Sequence, residues 1–188
     1  DTLQALKEAP LDHEDHIHAV HWLVVPRHPQ RFDEVHQLMH SRGWSVFRRS
    51  ALPVQGQPWP SAASDAQVWL GDSLGEMPQY FHAADMALLG GSFMPLGGQN
   101  LIEAAAFGCP IIMGPHTFNF AEASELAQAA GAAQRVVDMD EALDQALAWL
   151  NDRAALARAR QAGLDLVAQG RGAADRYAEA IVRQLSDS

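Results

Sequence analysis

Short apolar runs alternate along this chain with longer amphipathic stretches, and that rhythm restricts the fold more than any other feature. Parallel strands need a long crossover, usually a helix, so the alternation predicts βα units feeding a parallel sheet. His21-Trp22-Leu23-Val24-Val25 is the first convincing strand, ended by Pro26. After Pro29, Phe32, Val35, Leu38 and Met39 recur at helical spacing until Gly43. Ser45-Val46-Phe47, Val68-Trp69-Leu70, Met86-Ala87-Leu88-Leu89, Pro110-Ile111-Ile112-Met113 and Arg135-Val136-Val137 supply the other strands. Helices are expected over 76–84, from about Gln99 to Gly108, and over 120–130, 140–150 and 153–167. A break at Gly170-Arg171-Gly172 precedes a last helix over 173–185. Leu3, Ala5, Leu6 and Ala9 look like a helix end stopped at Pro10, and residues 50–64, with three prolines, read as a surface loop. The expected fold is therefore α/β, a Rossmann-like doubly wound parallel sheet of about six strands with C-terminal helices.

Composition narrows the function. Hydrophobic residues make up 48% and charged residues 19%, which excludes disorder and suits one domain over 1–188. A net charge of −10 argues against nucleic acid as a partner, since phosphate neutralisation needs a basic face. A single cysteine, Cys109, excludes a disulfide framework and any multi-cysteine zinc site. No apolar run approaches the ~20 residues of a membrane helix. The first residues, DTLQALKEAP, have neither the basic nor the apolar segment of a signal peptide; lacking an initiator Met, they suggest a fragment of a longer protein.

In an open parallel sheet, ligands bind beyond the carboxyl ends of the strands. Four turns here follow strands directly: Pro26-Arg27-His28-Pro29, residues 71–76, residues 90–103 and Gly114-Pro115-His116. Each alone could be a plain connection; together they are expected to converge on one rim. In Gly90-Gly91-Ser92-Phe93-Met94-Pro95-Leu96-Gly97-Gly98 the paired glycines allow close backbone approach, so amide N–H groups can face an anion. The helix expected from about Gln99 would turn its own free N–H groups to the same spot. The loop matches neither a dinucleotide fingerprint nor a P-loop, and Met94 spoils the nucleophile-elbow pattern around Ser92. Asn100 and Glu103 share a face of the first turn, where a carboxylate suits ribose hydroxyls; the plain alternative is a cap and a dipole partner. Arg27 is the candidate cation for an anionic ligand, with a surface ion pair as the alternative. The cluster His13-Glu14-Asp15-His16-Ile17-His18 reads as a solvated acidic loop rather than a metal site. His116 is a ligand candidate or a hydrogen-bonded loop residue. The arginines at 153, 158, 160, 171, 176 and 183 read as solvated helix faces.

Three motifs in order carry a resemblance: Pro26-Arg27-His28-Pro29-Gln30-Arg31-Phe32, Gly90-Gly91-Ser92 through Gly97-Gly98-Gln99-Asn100-Leu101-Ile102-Glu103, and Gly114-Pro115-His116-Thr117-Phe118-Asn119-Phe120. With them the chain resembles the C-terminal domain of bacterial 3-deoxy-D-manno-octulosonic acid (Kdo) transferases, over roughly residues 20–185. These are GT-B glycosyltransferases that move Kdo from CMP-Kdo onto lipid A precursor. The family usually has Arg and His where Leu96 and Gln99 stand, so those side-chain roles do not carry over.

The resemblance implies that the CMP moiety contacts Pro26 and Arg27, then Leu74, Gly75 and Glu76, then Asn100, Leu101, Ile102 and Glu103. It implies no catalytic residue in this chain, because the family's base is a Glu of its N-terminal domain, where the membrane anchor also lies. The acceptor would be held there too, and the segment 168–188 would pack back towards it. No metal or other cofactor is implied, only CMP-Kdo as donor substrate. The whole enzyme would work at the cytoplasmic face of the inner membrane, with this part soluble. A different GT-B nucleotide-sugar enzyme, such as an epimerase or another lipid-directed transferase, is the first alternative. A non-catalytic nucleotide-binding module is the second.

Overall fold

A computed structural model describes residues 20–53, 57–58 and 60–186. The helix end expected near residues 3–10 and the histidine cluster at 13–18 lie outside the described residues. Contacts divide the chain into two units, one ending at Tyr80 and the other beginning at Phe81.

The first unit is a parallel sheet of β1 (Trp22–Val24), β2 (Val46–Arg48) and β3 (Val68–Leu70), in the order β1-β3-β2. Placing β3 between the two earlier strands requires crossovers. The first contains helix α1 (Phe32–Ser41), whose Val35 and Met39 are buried as the spacing predicts. The stretch read as a loop holds a 3-10 turn, Arg49–Ala51, and a short helix α2 (Ser61–Asp65). Its small residues explain both the helix and why it was illegible. Ala63 and Ala66 pack on Phe47, and the Trp69 indole donates to the Ala63 carbonyl at 2.9 Å. Helix α3 (Met77–Ala83) follows β3.

The second unit is a parallel sheet of β4 (Ala87–Leu89), β5 (Ile111–Met113) and β6 (Ala133–Arg135), with β5 in the middle. All three β5 residues are buried, as an unbroken apolar run demands of a parallel strand covered on both faces. Helices α4 (Leu101–Ala106), α5 (Ala121–Ala130), α6 (Met139–Asn151) and α7 (Arg153–Ser186) surround it. Two expectations fail here. The last strand lies two residues earlier than Arg135-Val136-Val137. Small Ala133 fits beside Ile111 in the ladder, whereas Val137 is 73% exposed. The break at 170–172 is absent, for α7 runs through it. A helical glycine costs only about 1 kcal/mol relative to alanine and does not forbid the turn. Backbone ladders thus make an α/β, Rossmann-like pattern of six strands, as two sheets of three.

Candidate functional site

In the first unit, two of the expected segments leave neighbouring strands at the same end. Val24 and Leu70 are ladder partners, and the Gly71 N–H donates to the Val24 carbonyl at 2.9 Å. Pro26-Arg27 and the turn 71–76 therefore start side by side. Arg27 is exposed, and among the described residues it forms no ion pair, so its guanidinium is available to a ligand. Leu74 is 72% exposed at the tip of the turn, next to Gly75 at φ +76°.

Glu76 is held by internal partners. Its Oε1 accepts from Arg49 Nη2 at 2.6 Å, and its Oε2 accepts from the Ser73 hydroxyl and from Tyr80 at 3.2 Å. The Ser73 hydroxyl, with Arg49 behind it, holds the Glu76 carboxyl below its ordinary range. At the start of the turn Asp72 is buried, its side chain 1% exposed. It accepts from Arg48 Nε at 2.6 Å, and from the Ser50 N–H at 2.8 Å and hydroxyl at 2.6 Å. Burial alone would raise this carboxyl, but the Ser50 bonds and Arg48 outweigh it and hold it below its ordinary value. Asp72 and Ser73 lie inside the turn 71–76 that the sequence marks, but Arg48, Arg49, Ser50 and Tyr80 are not singled out there. The partners stand 24 and 27 positions apart, so only the fold pairs them.

In the second unit the glycine-rich loop is tied to the segment after β5. Ser92, fully buried, donates to the Leu89 carbonyl at 2.5 Å and accepts from the Gly114 N–H at 2.7 Å. Its own carbonyl accepts from the His116 N–H at 2.9 Å. Ser92 is thus a staple, and its hydroxyl is not a nucleophile. Gly97 and Gly98 both have positive φ, and a Cβ on Gly97 would overlap the Asn119 amide. Met94 and Leu96 are exposed; Gln99 lies over Gly91.

The helix expected from Gln99 starts at Leu101, because Asn100 is its cap: the side-chain Oδ1 accepts from the Ile102 N–H at 3.2 Å. Asn100 Nδ2 also donates to Glu103 Oε1 at 3.3 Å. The Leu101 side chain is in the core, 1% exposed, so only its backbone can serve a ligand. Ile102 and Glu103 are exposed. This division predicts separable effects. Asn100→Ala should cost about 1 kcal/mol of stability through the lost cap. Glu103→Ala should leave stability within about 0.5 kcal/mol. Paired denaturation curves check it, and equal losses would make Glu103 part of the cap.

A groove of about 760 Å³ opens beside the segment after β5, lined by His116, Phe118, Glu125, Gln128 and Arg135 among others. Arg135 is spent internally, donating to Thr117 Oγ1 at 2.8 Å and facing Gln128 Oε1 at 3.3 Å. Among the described residues no group of three His, Cys, Asp or Glu side chains is placed to hold a metal. The sequence does contain one Asp-x-Asp triplet, Asp138-Met139-Asp140, but Asp138 caps α6 by accepting from the Glu141 N–H at 2.9 Å. Cys109 is buried, and burial pushes its thiol up to about 11, which makes it inert.

A 3-deoxy-D-manno-octulosonic acid transferase of Bordetella pertussis is 49% identical over 159 residues, 85% of this chain. One from Haemophilus influenzae is 34% identical over the same share. Over most of its length the chain is a homologue of Kdo transferases. It spans 36% of the length of either relative. The C-terminal CMP-Kdo binding domain of WaaA from Acinetobacter baumannii superposes with a TM-score of 0.74 at 28% identity, covering 88% of this chain and 83% of that one. The C-terminal domain of a group 1 glycosyl transferase from Francisella tularensis shares the fold, with a TM-score of 0.50 and 17% identity. No protein-family model matches. Among the described residues this Kdo transferase relative has no helix long and apolar enough to cross a membrane.

Proposed function

We propose that this chain binds CMP-Kdo and forms the donor domain of an enzyme that transfers Kdo to lipid A precursor in lipopolysaccharide assembly. The observation that carries the reading is the match, across most of both chains, to a solved CMP-Kdo binding domain. In this reading Arg27 gives directed N–H donors to the phosphate and takes up charge as CMP leaves. Glu103 accepts hydrogen bonds from ribose hydroxyls. Backbone of Pro26, Leu74, Gly75, Leu101 and Ile102 frames the nucleotide, and Asn100 holds the start of α4. The reading calls for CMP-Kdo as the donor substrate and for no metal or other cofactor.

The acceptor hydroxyl, activated by a base, would attack the anomeric carbon, with CMP as the leaving group. The resemblance puts that base, the acceptor site and the membrane anchor in the N-terminal domain of the enzyme, at the cytoplasmic face of the inner membrane. A polypeptide of these 188 residues is therefore expected to bind CMP and to transfer no Kdo. Calorimetric titration with CMP, UDP and ADP, together with a transfer assay on lipid A precursor, tests this. Preference for UDP or ADP would point to another nucleotide-sugar enzyme, and transfer by this polypeptide alone would overturn the assignment of the base.

A further inference from the structure

We infer that Arg49 is a positioning residue of the donor site, acting through Glu76 on the backbone of Leu74 and Gly75. The inference rests on the CMP-binding reading. Three consecutive residues at the end of β2 clamp the turn at both ends. Arg48 and Ser50 hold Asp72, and Arg49 holds Glu76. Ser73 and Tyr80 meet at 2.5 Å and close the network beneath the turn. Between the clamps Leu74 stands exposed, and open space surrounds the position a Cβ of Gly75 would take. The tip buries little of its own, and a partly exposed ion pair adds little to stability. What the Arg49–Glu76 pair fixes is the direction in which the tip presents its backbone. Glu76, with both oxygens engaged, serves the donor through this turn.

The test titrates the 188-residue chain, wild type, Arg49→Ala, Arg49→Lys and Glu76→Gln, with CMP and with cytidine, and records each melting temperature. A turn that meets the nucleoside gives a distinctive pattern. Arg49→Ala should weaken CMP and cytidine alike, by about tenfold, roughly a 1.4 kcal/mol change. The melting temperature should hardly move. Lysine keeps the charge but not the two-pronged geometry, so Arg49→Lys should recover part of the loss. Glu76→Gln should resemble Arg49→Ala, and combining the two should add little. Unchanged affinity in Arg49→Ala overturns the inference and leaves the CMP reading standing. A loss confined to CMP also overturns it, since Arg49 would then touch the phosphate itself. Losses that follow the melting temperature would reduce the pair to a structural one. No CMP binding by the wild type would overturn the donor reading itself, and this inference with it.

Discussion

Gly114→Ala is expected to destabilise the chain by about 3 kcal/mol, the upper end of what overpacking costs. Gly114 follows the last residue of β5, where the central strand of the second sheet passes beneath the glycine-rich loop. An added Cβ would stand 2.6 Å from the Ser92 carbonyl oxygen and 2.9 Å from its carbonyl carbon. Both are backbone atoms, so no side-chain rotation relieves the clash. Strand and loop would have to separate, straining the Gly114 and His116 bonds to Ser92 together. Ser92→Ala is the informative companion. It leaves the Gly114 N–H without its acceptor in a buried place, which costs about 1–3 kcal/mol. Urea denaturation followed by circular dichroism measures both. A loss below about 0.5 kcal/mol for Gly114→Ala would show that the loop yields, because ordinary surface changes fall in that range.

What the sequence disclosed was whatever depends on neighbours in the chain. β5 was legible because an unbroken apolar run ending at Gly114 admits few other readings. The face of α1 was legible because Val35 and Met39 lie one turn apart. The glycine pair at 97–98 was legible as a place of unusual backbone, and both residues do adopt positive φ. Failures came where a weak local preference met a tertiary demand. Val136-Val137 has the better strand propensity, yet the ladder beside β5 took the smaller residues from Ala133 to Arg135. Helix α2 has no apolar periodicity, only two alanines small enough to sit on Phe47. At the candidate site the candidate residues were nameable, but not their partners. Glu76 reads in sequence as the start of a helix and, by the resemblance, as a CMP contact. That it is taken by Arg49, 27 positions earlier, follows only from the order β1-β3-β2, which sets β2 beside β3.

Arg27→Ala should weaken CMP binding far more than cytidine binding, because its proposed partner is the phosphate. Arg27 follows β1 and is exposed, and among the described residues it has no ion pair that a ligand would have to displace. The chain's net charge of −10 repels an anionic donor, so attraction has to be supplied locally. A hydrogen bond between charged groups contributes about 1.5–3 kcal/mol, which corresponds to roughly a ten- to hundredfold loss for CMP. Cytidine lacks the phosphate and should change by less than about twofold, a few tenths of a kcal/mol. Lysine replaces the charge but not the paired donors, so Arg27→Lys should regain part of the loss. An exposed pair is also screened, and the wild-type advantage for CMP should shrink as salt rises past about 0.1 M. Titration calorimetry of wild type and both variants, at low and high salt, reads all of this at once. Equal losses for CMP and cytidine would mean that Arg27 meets the nucleoside or shapes the turn after β1, and the phosphate would need another partner.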